Sequence, residues 1–257
     1  EVMYGKLIPC DDYTYFKNTD LVIEAVFEDL KLKQDLLKEV EAVTGDSTIF
    51  ASNTSAIPIS LIAKASKRPQ NMIGMHYFSP VPAMPLLEII KTAKTADWVV
   101  ATAITTGIAQ GKSCIVVKDG PGFYTTRILA PYLNEAVVLI EEGVSMNDID
   151  TAMLAFGYPV GPIALLDEVG IDVGAHVTIE LGQMFAARGA APSNVLPLLL
   201  SKGFKGRKNK KGFYMYDSPK KKGMRLPNEE VYTVIGKVTP KAISVEEIQQ
   251  RVSLMMI

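Results

Sequence analysis

The sequence predicts an α/β domain followed by an all-α one, and three observations carry that reading. Up to residue 118, short apolar runs alternate with amphipathic helical segments. At Asp119-Gly120-Pro121-Gly122 a breaker interrupts the alternation, and beyond it apolar residues recur at helical spacing.

Asp20–Phe27 (DLVIEAVF) is a compact apolar run suited to a buried strand, and Leu30–Val43 then places Leu32, Leu36, Leu37, Val40 and Val43 on one helical face. Ser47–Ser52 reads as a second strand, Ile57–Ser66 as a short helix and Asn71–His76 as a third strand. Leu86–Lys91 and Ser113–Lys118 are further strands flanking a helix from Ala96 to Gln110. Such alternation implies a mostly parallel sheet whose binding crevice lies off the C-terminal strand ends.

After the breaker, Ile128–Glu142, Met146–Phe156 and Ile163–Ala187 each support a long helix, so a domain boundary is placed near residue 118. Lys205–Lys211, followed by Gly212-Phe213-Tyr214, reads as a solvated turn leading to an aromatic anchor, and Lys220–Lys222 as part of a linker. Ser244 and Glu247 form a capping box, and Ile248, Val252, Met255 and Met256 follow on one face. That helix reaches Ile257 without a stop signal, and the chain starts at Glu1 rather than a methionine. The whole is therefore expected to be an excised piece of a longer protein.

Composition narrows the function classes. In 257 residues, 27 basic and 28 acidic side chains nearly cancel, so no global field exists for holding nucleic acid or an anionic membrane. No apolar run approaches the ~18 residues of a membrane span. The two cysteines, Cys10 and Cys114, cannot build a disulfide framework and lack a zinc spacing, so a reducing compartment is the simpler expectation. The chain contains no G-x-G-x-x-G, the turn expected to open a dinucleotide-binding sheet; its one G-x-G, at 120–122, reads better as an interdomain turn.

The two histidines differ in setting. His176 lies inside a helical run, where a surface histidine is the plain reading, whereas His76 ends a strand just before the turn-rich YFSPVP. Glu88 follows twelve residues later within the apolar PLLEII. A carboxylate buried there needs a partner, and a neighbouring imidazole would make the pair a carboxylate-assisted general base; otherwise Glu88 faces solvent on an edge strand. Ser52-Asn53-Thr54-Ser55 follows the second strand and suits either ligand hydrogen bonding or helix capping. Glu28, past the first strand, suits either a ribose hydroxyl or the N-terminus of the next helix.

Taken together, GMHYFSPVPAMPLLEI (74–89), SNTS (52–55), DGPGFYTTRIL (119–129) and FGYPVGPIALLDEVGID (156–172) resemble the L-3-hydroxyacyl-CoA dehydrogenase family, over about Asp20 to Tyr216. HYFSP and GFYTTR are most similar to the α subunit of the mitochondrial trifunctional protein of fatty-acid β-oxidation. The resemblance implies a Rossmann-like NAD-binding domain over 1–118, lacking its N-terminal part, and a helical C-terminal dehydrogenase domain over 119–216. Residues 217–257 would be a linker and the start of a second helical repeat. By position it makes His76 the general base, Glu88 its partner and Ser55 a donor to the substrate 3-oxygen. Glu28, Lys33, Asn53 and Ser79 would contact NAD, and Thr126 would orient substrate. Ser79 and Thr126 stand where single-domain relatives usually carry asparagine, and a hydroxyl replaces one amide hydrogen bond but not two. The implied reaction is oxidation of an (S)-3-hydroxyacyl-CoA to the 3-oxoacyl-CoA, with substrate lying between the two domains. The implied setting is a mitochondrial multienzyme with a hydratase module upstream and either a thiolase β subunit as partner or a homo-oligomer. The competing expectation is a structural or partner-binding fragment that is inactive by itself.

Overall fold

Five short apolar runs become one sheet in the computed structural model, which describes residues 6–186, 192–217, 225–236 and 238–257. The strands are β1 (Leu21–Glu24), β2 (Ile49–Ser52), β3 (Met72–Tyr77), β4 (Leu86–Lys91) and β5 (Ser113–Lys118), in that spatial order. β1, β2 and β3 run parallel, β4 is antiparallel to β3, and β5 is parallel to β4. The reversal follows from chain length, because residues 78–85 are too few for the crossover that parallel neighbours require. The mostly parallel sheet expected from the sequence is therefore present, with one antiparallel step inside it.

Side chains alternate across this sheet as the period of two demands. Phe50 and Met72 pack on one face with Leu37 and Val40 of α1 (Leu30–Val43) and Ile59 and Ile62 of α2 (Ile59–Ile62). Ile49, Ala51, Ile73 and Met75 pack on the other with Val99 and Ala103 of α3 (Asp97–Ala109). α1 starts at Asp29, whose carboxylate accepts the Leu32 N–H at 2.7 Å. α3 seats closely because of Gly107: a Cβ there would lie 2.5 Å from Cys114 Sγ and 2.7 Å from Leu87 Cδ2. α2 is shorter than the expected 57–66 helix. Pro58 keeps Ile57 out of the helical region, and the chain tightens into a 3₁₀ turn at Ala63–Ala65.

The first unit extends through Tyr124 and the second covers Thr125–Ile257, so the breaker at 119–122 stays with the sheet rather than opening the helical unit. The second unit contains α4 (Thr125–Glu141), α5 (Met146–Phe156), α6 (Pro162–Val169), α7 (Ile171–Ala186), α8 (Val195–Ser201), α9 (Glu229–Ile235) and α10 (Val245–Leu254). The single helix expected over 163–187 is broken at Gly170, whose φ of 110° suits glycine and ends α6. α10 stops at Leu254, short of Ile257, where the chain tightens into turns in which the Met256 and Ile257 N–H groups donate to the Ser253 and Leu254 carbonyls. Arg251 docks α10 by a bidentate contact to Glu142 at 2.7 and 2.8 Å and a contact to Glu135 at 2.7 Å. The basic turn is neutralised by neighbours: Arg207 on Glu168 at 2.8 Å, Lys210 on Asp217 at 2.9 Å and Lys211 on Glu230 at 2.7 Å. Phe213 and Tyr214 then enter the core. Lys220–Lys222 lie outside the described residues. No helix among the described residues is long and apolar enough to cross a membrane.

Candidate active site

Antiparallel pairing of β3 with β4 places His76 directly opposite Glu88. Directly opposed side chains lie within contact distance on one face of a sheet. Both are sealed, His76 5% and Glu88 0% exposed, and His76 Nδ1 lies 3.0 Å from Glu88 Oε2. The solvent-facing alternative for Glu88 is thereby excluded, since β4 is an interior strand. Its second oxygen, Oε1, accepts the Tyr124 N–H at 2.8 Å. The imidazole packs against Phe78, with ring centroids 4.4 Å apart, and Phe123, at 6.2 Å. With Nδ1 committed to the carboxylate, Nε2 is the nitrogen that can exchange a proton with a ligand, and Glu88 stabilises the imidazolium that results.

A second cluster forms where β1 and β2 end, beside the end of β3. Glu24 ends β1 with its carboxylate buried; Oε1 accepts Lys33 Nζ and the Val26 N–H, each at 2.7 Å, and Oε2 accepts the Ser52 hydroxyl at 2.6 Å. Lys33 is 1% exposed and also reaches Glu28 at 3.3 Å, so its charge is enclosed between two carboxylates. Burial of such charges is tolerated only with this density of partners. Glu28 Oε1 in turn accepts the Thr54 hydroxyl and the N–H groups of Ser55, at 3.0 Å, and Ala56, at 3.2 Å. Glu28 therefore organises the loop that carries Ser55, whereas the N-terminus of α1 is capped by Asp29.

Asn53 ties the same loop to β3 by accepting the Tyr77 N–H on Oδ1 at 2.8 Å, which leaves Nδ2 as a donor. This donor set fits the nicotinamide end of NAD: a carboxylate about one-third exposed at Glu28 (32%) to accept ribose hydroxyls, and an amide donor at Asn53. Lys33 is too enclosed to reach outward and holds Glu28 instead. Among the described residues, no group of three or more His, Cys, Asp or Glu could hold a metal ion.

The structure thus gathers His76, Glu88, Glu28, Lys33, Asn53 and Ser55 into the first unit. Ser79 is exposed just beyond β3, and Thr126 is half-buried at the start of α4 in the second unit. His176 is exposed on α7, with Nδ1 3.3 Å from the Asp172 carbonyl oxygen. Burial pushes the Cys114 thiol up from its ordinary range, which disfavours the thiolate. Two participants escaped the sequence reading. Glu24 carried the same signal as Glu88, a lone carboxylate in an apolar run. The Tyr124 N–H is a backbone group and leaves no mark in the side-chain pattern.

Residues 2–120 match the family described as 3-hydroxyacyl-CoA dehydrogenase, NAD binding domain, and residues 122–216 match 3-hydroxyacyl-CoA dehydrogenase, C-terminal domain. The chain is 52% identical over 231 residues to the fatty acid oxidation complex subunit alpha of Shewanella loihica, covering 90% of this chain and 32% of that protein. The corresponding subunit of Shewanella oneidensis is 52% identical over 225 residues, covering 88% and 32%. The chain thus spans about a third of the length of these curated relatives. Among solved structures, the (S)-3-hydroxybutyryl-CoA dehydrogenase of Ralstonia eutropha matches with a TM-score of 0.75 at 39% identity, over 80% of this chain and 74% of that one. The 3-hydroxybutyryl-CoA dehydrogenase of Escherichia coli gives 0.76 at 33%, over 86% and 50%. These relatives are bacterial, which overturns the mitochondrial localisation expected from the resemblance.

Proposed function

This chain belongs to the 3-hydroxyacyl-CoA dehydrogenase family, and from that premise we propose that it oxidises (S)-3-hydroxyacyl-CoA thioesters to 3-oxoacyl-CoA, reversibly and with NAD. The observation that carries the reading is the sealed His76–Glu88 pair, a base whose partner can balance a new positive charge. In the oxidative direction the substrate hydroxyl gives its proton to His76 Nε2 while C3 gives up hydride and its C–O bond becomes C=O. Acceptance of that hydride is the chemistry that bound NAD supplies. Glu88 holds the Nδ1–H and stabilises the imidazolium. Ser55 donates its hydroxyl to the 3-oxygen, an interaction that strengthens or weakens as charge on that oxygen changes. Glu28 and Asn53 hold the nicotinamide ribose and carboxamide, with Lys33 and Glu24 fixing Glu28 from behind.

The likeness to alpha subunits of fatty acid oxidation complexes supports a place within a larger β-oxidation multienzyme, with a thiolase-bearing β subunit as partner. The test is turnover of (S)-3-hydroxybutyryl-CoA with NAD, followed by NADH absorbance, in a full-length protein carrying this chain. Turnover that survives His76→Gln at the wild-type rate would refute the assignment.

A further inference from the structure

Residues 119–124 touch both halves of the candidate site. Asp119 spends its two carboxylate oxygens on two backbone donors at the start of α2, the N–H of Ile59 at 2.7 Å and that of Ser60 at 3.0 Å. Three residues on, the Gly122 N–H donates to the carbonyl of Ala56, the neighbour of Ser55, at 3.1 Å. At the far end the Tyr124 N–H donates to Glu88. Between these anchors Phe123 is buried with a φ of 48°, a left-handed conformation that an aromatic residue keeps only when its surroundings over-determine it, and its ring lies beside His76.

We propose that Asp119 is a positioning residue: by pinning the start of segment 119–124 to residues 59 and 60, it fixes the spacing between the Ser55 loop and the His76–Glu88 pair. The segment behaves as a short brace. One end sets the loop that presents the 3-oxygen donor, and the other supplies an N–H that orients Glu88 and, through it, the imidazole. Without Asp119 the Gly122 and Tyr124 contacts lose their common frame, Phe123 relaxes from its left-handed conformation, and the proton acceptor and the oxygen donor drift independently. Reacting groups displaced by about 1 Å lose on the order of 10²-fold in rate.

The functional part of this inference rests on the proposed dehydrogenase reaction, but its geometric part can be read without turnover. The chain has two histidines, so the imidazole resonances of His76 and His176 can be followed separately by NMR. In Asp119→Ala, His76 resonances should shift and broaden while those of His176 stay in place. Asp119→Asn, which keeps one acceptor oxygen, should give a smaller change in the same direction, and it decides the question if the alanine variant does not fold. The rate kcat/KM should fall by about 10-fold to 100-fold. An unchanged His76 spectrum with only a lowered melting temperature would reduce Asp119 to a cap on α2 and overturn the proposal. Absence of turnover in the wild type would overturn the dehydrogenase reading, and the His76 spectrum would still decide the role of Asp119.

Discussion

Glu88 in the first unit and Asp167 in the second are equally hidden, at 0% and 1% exposure, yet they keep different company. Asp167 accepts the N–H groups of Phe213 at 2.9 Å and Tyr214 at 3.0 Å and the hydroxyl of Tyr216 at 2.8 Å. Asp150 is built alike, accepting Ile163 N–H, Ala164 N–H and the Tyr214 hydroxyl at 2.8, 3.0 and 2.9 Å. None of those donors changes charge near neutral pH, and burial pushes the two tyrosines further up. Glu88 faces an imidazole, a ring with a second nitrogen free of the carboxylate contact. A buried carboxylate ringed by backbone amides and tyrosines is an architectural clamp, whereas one opposite a histidine has a partner able to take and return a proton. Burial alone does not separate structure from chemistry; the partner does.

The largest effect expected from this difference is in His76→Gln, which should lower kcat by ~10²–10⁴-fold, the usual worth of a general base. Its melting temperature should change little, since glutamine can still donate to Glu88. Ser55→Ala should follow, with kcat/KM reduced ~10²–10³-fold, as when one oxyanion donor is removed. Unaltered kcat/KM with a lowered melting temperature would instead make the Ser55 hydroxyl part of the loop's architecture.

The mirror-image experiment is Asp167→Ala. It strands two buried N–H groups and a partly buried hydroxyl, and at ~1–3 kcal/mol for each unsatisfied buried group the loss should be about 2 kcal/mol or more in urea unfolding. Activity per folded molecule should survive. Burial, the largest influence, raises the Asp167 pKa above 3.8 despite the opposing hydrogen bonds. Its contribution to stability is therefore fully present below that value and is lost as pH rises through the higher folded pKa.

Glu142 should show the opposite sign at smaller amplitude. Hydrogen bonds from Arg251 and then Lys241 lower its pKa from 4.5 to about 2. Its contribution is present above pH 4.5 and should fade as pH falls toward 2. As a partly exposed ion pair it should contribute about 1 kcal/mol or less. The difference in stability between wild type and Glu142→Gln, measured across that range, checks both sign and size.

Much of this contrast was legible in the residues. α1, α5, β4 and β5 have the bounds that apolar spacing predicts, because each pattern is closed by a polar or turn residue. His76 and Glu88 were legible as candidates for a pair because a twelve-residue interval containing three prolines can bring one strand back beside the other. The break at Gly170 was not, since apolar periodicity continues in phase across it and a positive φ leaves no mark beyond the glycine itself. Asp150 and Asp167 were also invisible as clamps. Their partners are mostly backbone N–H groups supplied from positions 163, 164, 213 and 214, and tertiary folding alone brings those together. Ser55 was visible as a residue, but the control of its loop by Glu28 depends on three hydrogen bonds to a single oxygen, which spacing does not encode.

The most direct test of the claim that Glu88 works through His76 is a double-mutant cycle in kcat over wild type, His76→Gln, Glu88→Gln and the double variant. Each single change should cost a similar factor, and the double variant little more than either, because residues acting as one unit are non-additive. Multiplicative losses in the double variant would show two independent contributions and would contradict the pairing of His76 with Glu88 as the catalytic unit.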